Sequence, residues 1–227
     1  MANYSTDFDF GGAAESGPWL RWHARPTNDG AHQGGTWSVH EGGDSTAIDL
    51  ATGLCLDWPN YKTGWIQSNG AAGVAPQKQW NRDRARSEKK PGDGWSRAFW
   101  VPVAFRFENR LLRAVWESNQ AGAYVGFSEA MQTLKPELAS QRPQLPLLEF
   151  TGCKNVRFGA GSTVVPQFRV KSWIARPACL PEEVEDAAQA SAPDDAWGTS
   201  QRTPAVASGA GKVFAGLHSD LDDEVPF

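Results

Sequence analysis

Short apolar runs interrupted by Gly, Pro, Asn and Asp set the pattern of this chain. Leu20, Trp22 and Ala24 alternate with Arg21, His23 and Arg25, the period-two signature of a strand with one buried face. A brief run at 64–67 follows, then a longer one at 98–107 (AFWVPVAFRF), rich in β-formers, and further runs at 111–116, 147–150 and 164–174 (VVPQFRVKSWI). Clusters such as Asn28-Asp29-Gly30, Pro91-Gly92-Asp93-Gly94 and Gly159-Ala160-Gly161 separate them as turns do in an antiparallel fold. One segment, 128–139, places Ala130, Met131, Leu134 and Leu138 on a helical face, with Ser128 as N-cap and Pro136 shortening it. The pattern predicts a mainly β body, a small barrel with one short helix and long loop insertions.

The pattern stops after Pro177. Residues 181–219 are dominated by Ala, Ser, Gly, Pro and acids, with Trp197 and Phe214 as exceptions, and such a composition cannot bury enough apolar surface to offset its ordering entropy. A flexible tether is expected; about 40 residues of such chain span roughly 35 Å r.m.s.. Charge divides at the same place. Residues 1–178 carry 20 Lys+Arg against 16 Asp+Glu, or +4, and residues 179–227 carry 2 against 10, or −8, which sum to the formal −4. A basic body with an acidic tail is the asymmetry of a nucleic-acid-binding protein. The chain therefore divides into a binding domain at 1–178, a linker at 179–219 and an acidic tip at 220–227.

The tip holds Asp220, Asp222, Asp223 and Glu224 and ends in Val225, Pro226 and Phe227. One aromatic anchor beside concentrated negative charge suits a small hydrophobic pocket rimmed by Arg and Lys, with the α-carboxylate captured as well. This ending resembles the C-terminal tip of bacterial and bacteriophage single-stranded DNA-binding proteins, and the residues carrying the match are Asp222, Asp223, Glu224, Val225, Pro226 and Phe227. The resemblance implies an OB-fold-like Greek-key barrel, a disordered acidic tail, and a tip that docks on replication and recombination proteins such as nucleases, helicases, primase and polymerase subunits. The body is longer and far richer in Trp than ordinary bacterial members, which points to a phage- or prophage-encoded protein in the cytoplasm of a bacterial host. A solvated acidic tail that merely improves solubility is the plainer alternative.

Ten of the eleven tryptophans lie in the body. Sequence-independent binding of single strands needs flat aromatic platforms for bases and cations for phosphates. The densest mixture is 78–97 (KQWNRDRARSEKKPGDGWSR), with seven cations and three acids between and around Trp80 and Trp95, read as a long β-hairpin or loop. Candidate DNA contacts there are Lys78, Trp80, Arg82, Arg84, Arg86, Lys89, Lys90, Trp95 and Arg97, joined by Arg21, Trp37 and Trp65 from elsewhere. Trp37 and Trp65, like Trp80 and Trp95, have polar or glycine neighbours, whereas Trp58, Trp100, Trp116 and Trp173 lie in apolar surroundings and read as core. Trp19 and Trp22 point to opposite faces of one strand, so at most one faces DNA. The charged loop also reads as a merely solvated one.

Three cysteines, Cys55, Cys153 and Cys179, lack any C-x-x-C spacing and read as reduced, mostly packed thiols. His23, His32 and His40 lack ligand spacing and read as ordinary packed or surface residues. Gly209-Ala210-Gly211-Lys212 is followed by Val213 where a phosphate loop has Ser or Thr. No apolar run is long enough to span a bilayer, and no signal peptide is evident. No cofactor, metal or catalytic centre is expected. Two rivals stand beside single-strand binding: a carbohydrate-binding β-sandwich using exposed Trp, and a nucleic-acid enzyme built on acids such as Glu108 and Glu117.

Overall fold

A computed structural model describes residues 17–68, 75–82, 87–158 and 161–183. The long apolar run becomes the central strand β7 (Trp95–Phe107), which hairpins into β8 (Arg110–Ser118) through Glu108 and Asn109, both at positive φ. Two consecutive positive-φ residues give the turn whose twist matches the flanking strands. β8 pairs in parallel with β1 (Trp19–His23), which pairs antiparallel with β2 (Thr36–Glu41), and β2 with β3 (Asp44–Ile48).

The other edge of β7 is shared. β5 (Lys62–Gln67) covers its first half, from Gln67↔Trp95 to Lys62↔Trp100, and β4 (Leu54–Leu56) its second, from Leu56↔Val103 to Leu54↔Phe105. A 3-10 turn at Trp58–Asn60 separates them. Pro102 falls at this break, and its carbonyl accepts from the Asp57 N–H at 3.0 Å. The edge toward which proline lacks a donor is thus the edge where no strand continues, which lets proline sit in a central strand. β6 (Gln77–Trp80) pairs with β5, while β9 (Leu145–Phe158) pairs with β4 and forms a long hairpin with β10 (Gly161–Ile174). The ten strands form one sheet curled into a half-barrel.

Alternation sorts each strand. Phe99, Val101, Val103 and Phe105 of β7 point inward with Leu20 and Trp22 of β1, Trp37 and Val39 of β2, and Ala114 and Trp116 of β8. Their rings interlock: Trp37 lies 5.0 Å from Trp22 and 5.1 Å from Trp116, and Phe99 stacks on Phe127 at 4.3 Å. The Trp22 indole N–H donates to the Val164 carbonyl of β10 at 3.0 Å, drawing that strand over β1. A smaller cluster of Cys55, Trp58, Ala104, Leu145 and Leu180 packs on the opposite face of β4 and β7.

The helix α1 spans Ala121–Leu134 and does not begin at Ser128. Gly122 and Gly126 lower helix propensity in its first half and hide it from pattern reading. They also explain its position: a Cβ on Gly126 would sit 2.6 Å from Pro166 Cγ, and one on Gly122 would meet the Val164 carbonyl oxygen, so α1 rests on β10 backbone to backbone. Lys135 caps it, Pro136 follows, and a second short helix, α2, covers Leu138–Gln141.

Residues 176–183 are clasped to the body, so the boundary at 178 falls inside a packed segment. Arg176 Nη1 contacts the fully buried Asp57 at 2.9 Å and donates to the Pro181 carbonyl at 2.8 Å. Asn60 donates to Asp57 at 2.8 Å and to the Glu182 carbonyl at 3.0 Å, and Arg142 pairs with Glu183 at 3.1 Å. Burial pushes the Asp57 carboxyl up, against the lowering effect of Asn60 and Arg176. Cys55 is buried and its thiol pushed up to about 12 by burial, Cys179 is half-buried, and Cys153 is exposed instead of packed.

Candidate nucleic-acid interface

The register that fills the core also determines what lies on the outer face. Lys62 of β5 opposes Trp100 of β7, which opposes Glu117 of β8. On the same face, Lys78 of β6 opposes Ile66 of β5, and Trp80 opposes Gly64. Trp19 and Arg21 of β1 continue this face beyond β8, Trp19 lying opposite Val115. The outer face thus carries Trp80, Trp100 and Trp19 in a line across five strands, with Lys62, Lys78 and Arg21 among them. Ile66 and Val115, on the same face, are buried.

Cations sit on the rings. Lys62 Nζ lies 4.4 Å from the Trp100 centroid and Lys78 Nζ 5.8 Å from that of Trp19. Each such contact contributes about 0.5–1 kcal/mol at a partly exposed site. Lys78 also pairs with Glu117 at 2.6 Å, the two side chains being 17% and 12% exposed. Glu117 thus holds the ammonium over the sheet and offsets its charge locally.

A second group lies on the opposite face of the same strands. Trp65, Trp95 and Arg97 share it by parity, and the segment around 81–82 and 87–94 crosses over them. Trp65 Nε1 donates to the Glu88 carbonyl at 3.2 Å, Arg97 lies 4.9 Å from the Trp65 ring and donates to Ser87 Oγ at 3.0 Å, and Gln67 donates to the Asp93 carbonyl at 3.3 Å. Asn81 ties the crossing to Thr63 at 2.9 Å, and Glu88 accepts from the Arg82 N–H at 3.0 Å. Arg82 and Lys89 are exposed, and Lys90 and Trp95 half-buried.

Two stacking assignments are corrected by these positions. Trp37 is 1% exposed and touches Trp22, Trp116, Phe150 and Phe168, because odd positions of β2 point inward. Trp65 is 6% exposed, lying beneath the crossing segment. Of the two readings of the charged stretch, the hairpin is excluded because β5 lies between β6 and β7, and the loop between strands stands. Lys78, Trp80 and Arg21 fall together on the outer face, whereas Trp95 and Arg97 fall on the other. Arg84, Arg86, most of the linker and the tip residues at 220–227 lie outside the described residues.

Trp58 and Trp116 are core rings as read, whereas Trp173 is half-buried and donates to Glu137 at 2.9 Å. Trp100 is buried too, yet under Lys62 on the outer face, and Lys62 was not singled out in the sequence. Strand alternation in KTGWIQ was the one signal for it. Glu108 and Glu117, the carboxylates of the enzyme rival, fall at opposite ends of the nine-residue β8, roughly 25–30 Å apart at strand rise.

Among the described residues no group of three or more His, Cys, Asp or Glu side chains could hold a metal ion, and no helix is long and apolar enough to cross a membrane. No family model matches the chain, and neither a curated protein nor a solved structure matches it.

Proposed function

We propose that this chain binds single-stranded DNA without sequence preference during replication or recombination, and that its acidic segment 220–227 recruits the processing proteins. The observation that carries the binding half is the pair of half-buried rings Trp80 and Trp19 on one sheet face, on either side of the buried Trp100, with exposed Lys62 and Arg21 beside them and the hydrophobic core behind. Indoles supply the stacking surface that every base can use, and flanking cations supply the phosphate attraction. An OB-fold-like Greek-key barrel is the finer architecture that accompanies this proposal; its support is the curl of a largely antiparallel sheet around an aromatic centre. The recruiting half rests on the sequence of the tip and its resemblance to single-stranded DNA-binding proteins.

The test is titration of intrinsic Trp fluorescence with an oligo-dT strand and with a duplex, each at low and moderate salt. Quenching by the single strand, weakened by salt, is expected. Replacing Trp80 or Trp19 by Ala should lower affinity by about 1–2 kcal/mol, or roughly 5- to 30-fold, the scale of one lost stacking platform. Wild-type affinity in both variants, or no response to either nucleic acid, rejects this face.

A further inference from the structure

Beyond Trp19 the outer face ends in a histidine cluster. Arg21 and His23 of β1 lie beside Ser38 and His40 of β2, with Trp19 opposite His40 and Arg21 opposite Ser38. His32, from the loop between those strands, stacks on His23 with centroids 4.4 Å apart and planes 15° from parallel. His23 Nε2 meets Ser38 Oγ at 2.8 Å. Ser45 of β3 places one hydroxyl between two imidazoles, 2.7 Å from His32 Nε2 and 3.0 Å from His40 Nε2.

The charges facing this cluster are few. Arg21 comes from β1, the other imidazoles from β2 and the loop, and Asp29 from the loop. Asp29 accepts from the Ala31 N–H at 3.0 Å and from the Thr27 hydroxyl, which hold its carboxyl below the usual range. His23 and His32 are buried face to face, and burial first, then His32, lower the pKa of His23. His40 is half-buried, and the Ser45 hydroxyl gives its proton a place. As an imidazolium, His40 donates Nε2–H to Ser45 Oγ, and Ser45 turns its own hydrogen to His32 Nε2. Both Ser45 contacts survive the uptake, with His32 as the Nδ1–H tautomer, whose buried Nδ1 has no partner.

We infer that Arg21 and His40 form a proton-linked phosphate site that extends the nucleic-acid face one step past Trp19; this rests on the single-strand binding proposed above. Without a ligand, burial first, then Arg21 and His32, keep His40 below its ordinary value. A phosphate against Arg21 screens that repulsion, so binding and protonation favour each other. His23, held at about 4, stays neutral through the relevant range.

The experiment measures oligo-dT affinity of the full chain and of His40→Gln at constant ionic strength between about pH 7.5 and about pH 5.5, where histidine titrates. Gln keeps a partner for Ser45 but takes no proton. The wild-type affinity should rise about 3- to 10-fold more than that of His40→Gln on acidification, with a salt slope near pH 5.5 steeper by about one. Parallel pH curves for the two proteins overturn the site while leaving single-strand binding intact. No binding by either protein at any pH overturns the binding reading and this site together.

Discussion

His23 carries its imidazole behind the sheet edge, stacked on His32, and burial, His32, Arg21 and His40 together bring its pKa down to about 4. A histidine ordinarily titrates near 6.5, so the unfolded chain binds this proton more readily than the folded one. His23 therefore costs no stability above about pH 6.5; the protein loses stability as pH falls through the interval toward 4, by at most about 3 kcal/mol. Urea midpoints at about pH 7 and about pH 5 should show the decline, and His23→Gln should flatten most of it. An unchanged slope in that variant would mean other groups dominate. Residue by residue, sequence polarity misread Trp37 and Trp65, because a ring's partners come from strands remote in sequence. Polar neighbours such as Thr36 and Ser38 occupy outer positions and say nothing about the inner residue between them.

The helix and the strand beneath it show the same logic between elements. Gly→Ala in a solvated helix ordinarily adds stability, about 1 kcal/mol. At Gly122 the sign reverses, because the new methyl meets the Val164 carbonyl oxygen, the acceptor of the Trp22 indole N–H. Gly122→Ala should cost about 2 kcal/mol through α1 lifting from β10 and should weaken near-ultraviolet dichroism from the Trp cluster. Thermal unfolding at or above the wild-type midpoint would show that the helix has room to shift. β1, β7 and β8 were legible from alternation and run length. β3, exposed over most of its length, and the four-residue β6 lacked any apolar face to announce them. The start of α1 was hidden by the glycines that seat it.

Across the whole molecule, the basic–acidic division was readable from charge, but the point at which the body ends was not. Arg176, Pro181 and Glu182 converge on Asp57 and Asn60, and Leu180 fills the smaller cluster with Trp58 and Leu145. A chain ending after Ala178 should therefore be less stable than one ending after Glu183, by about 2 kcal/mol, the worth of one buried Leu and its polar contacts less the ordering of a few residues. Equal denaturant midpoints for the two would make the clasp a surface contact without energetic weight. The curl of the sheet, which decides which tryptophans share a face, depends on strand order and had no signature in any single run.

The Trp22–Trp37–Trp116 assembly also governs how this protein looks in ultraviolet light. Trp22, Trp37 and Trp116 are held 5.0 and 5.1 Å apart and shut off from solvent, so light emitted from this cluster comes from a dry, screened interior. That blue-shifted emission forms a background that no bound strand can reach. Half-buried Trp19 and Trp80 supply the optical signal of the outer face, and a titration followed only at the emission maximum would register it faintly.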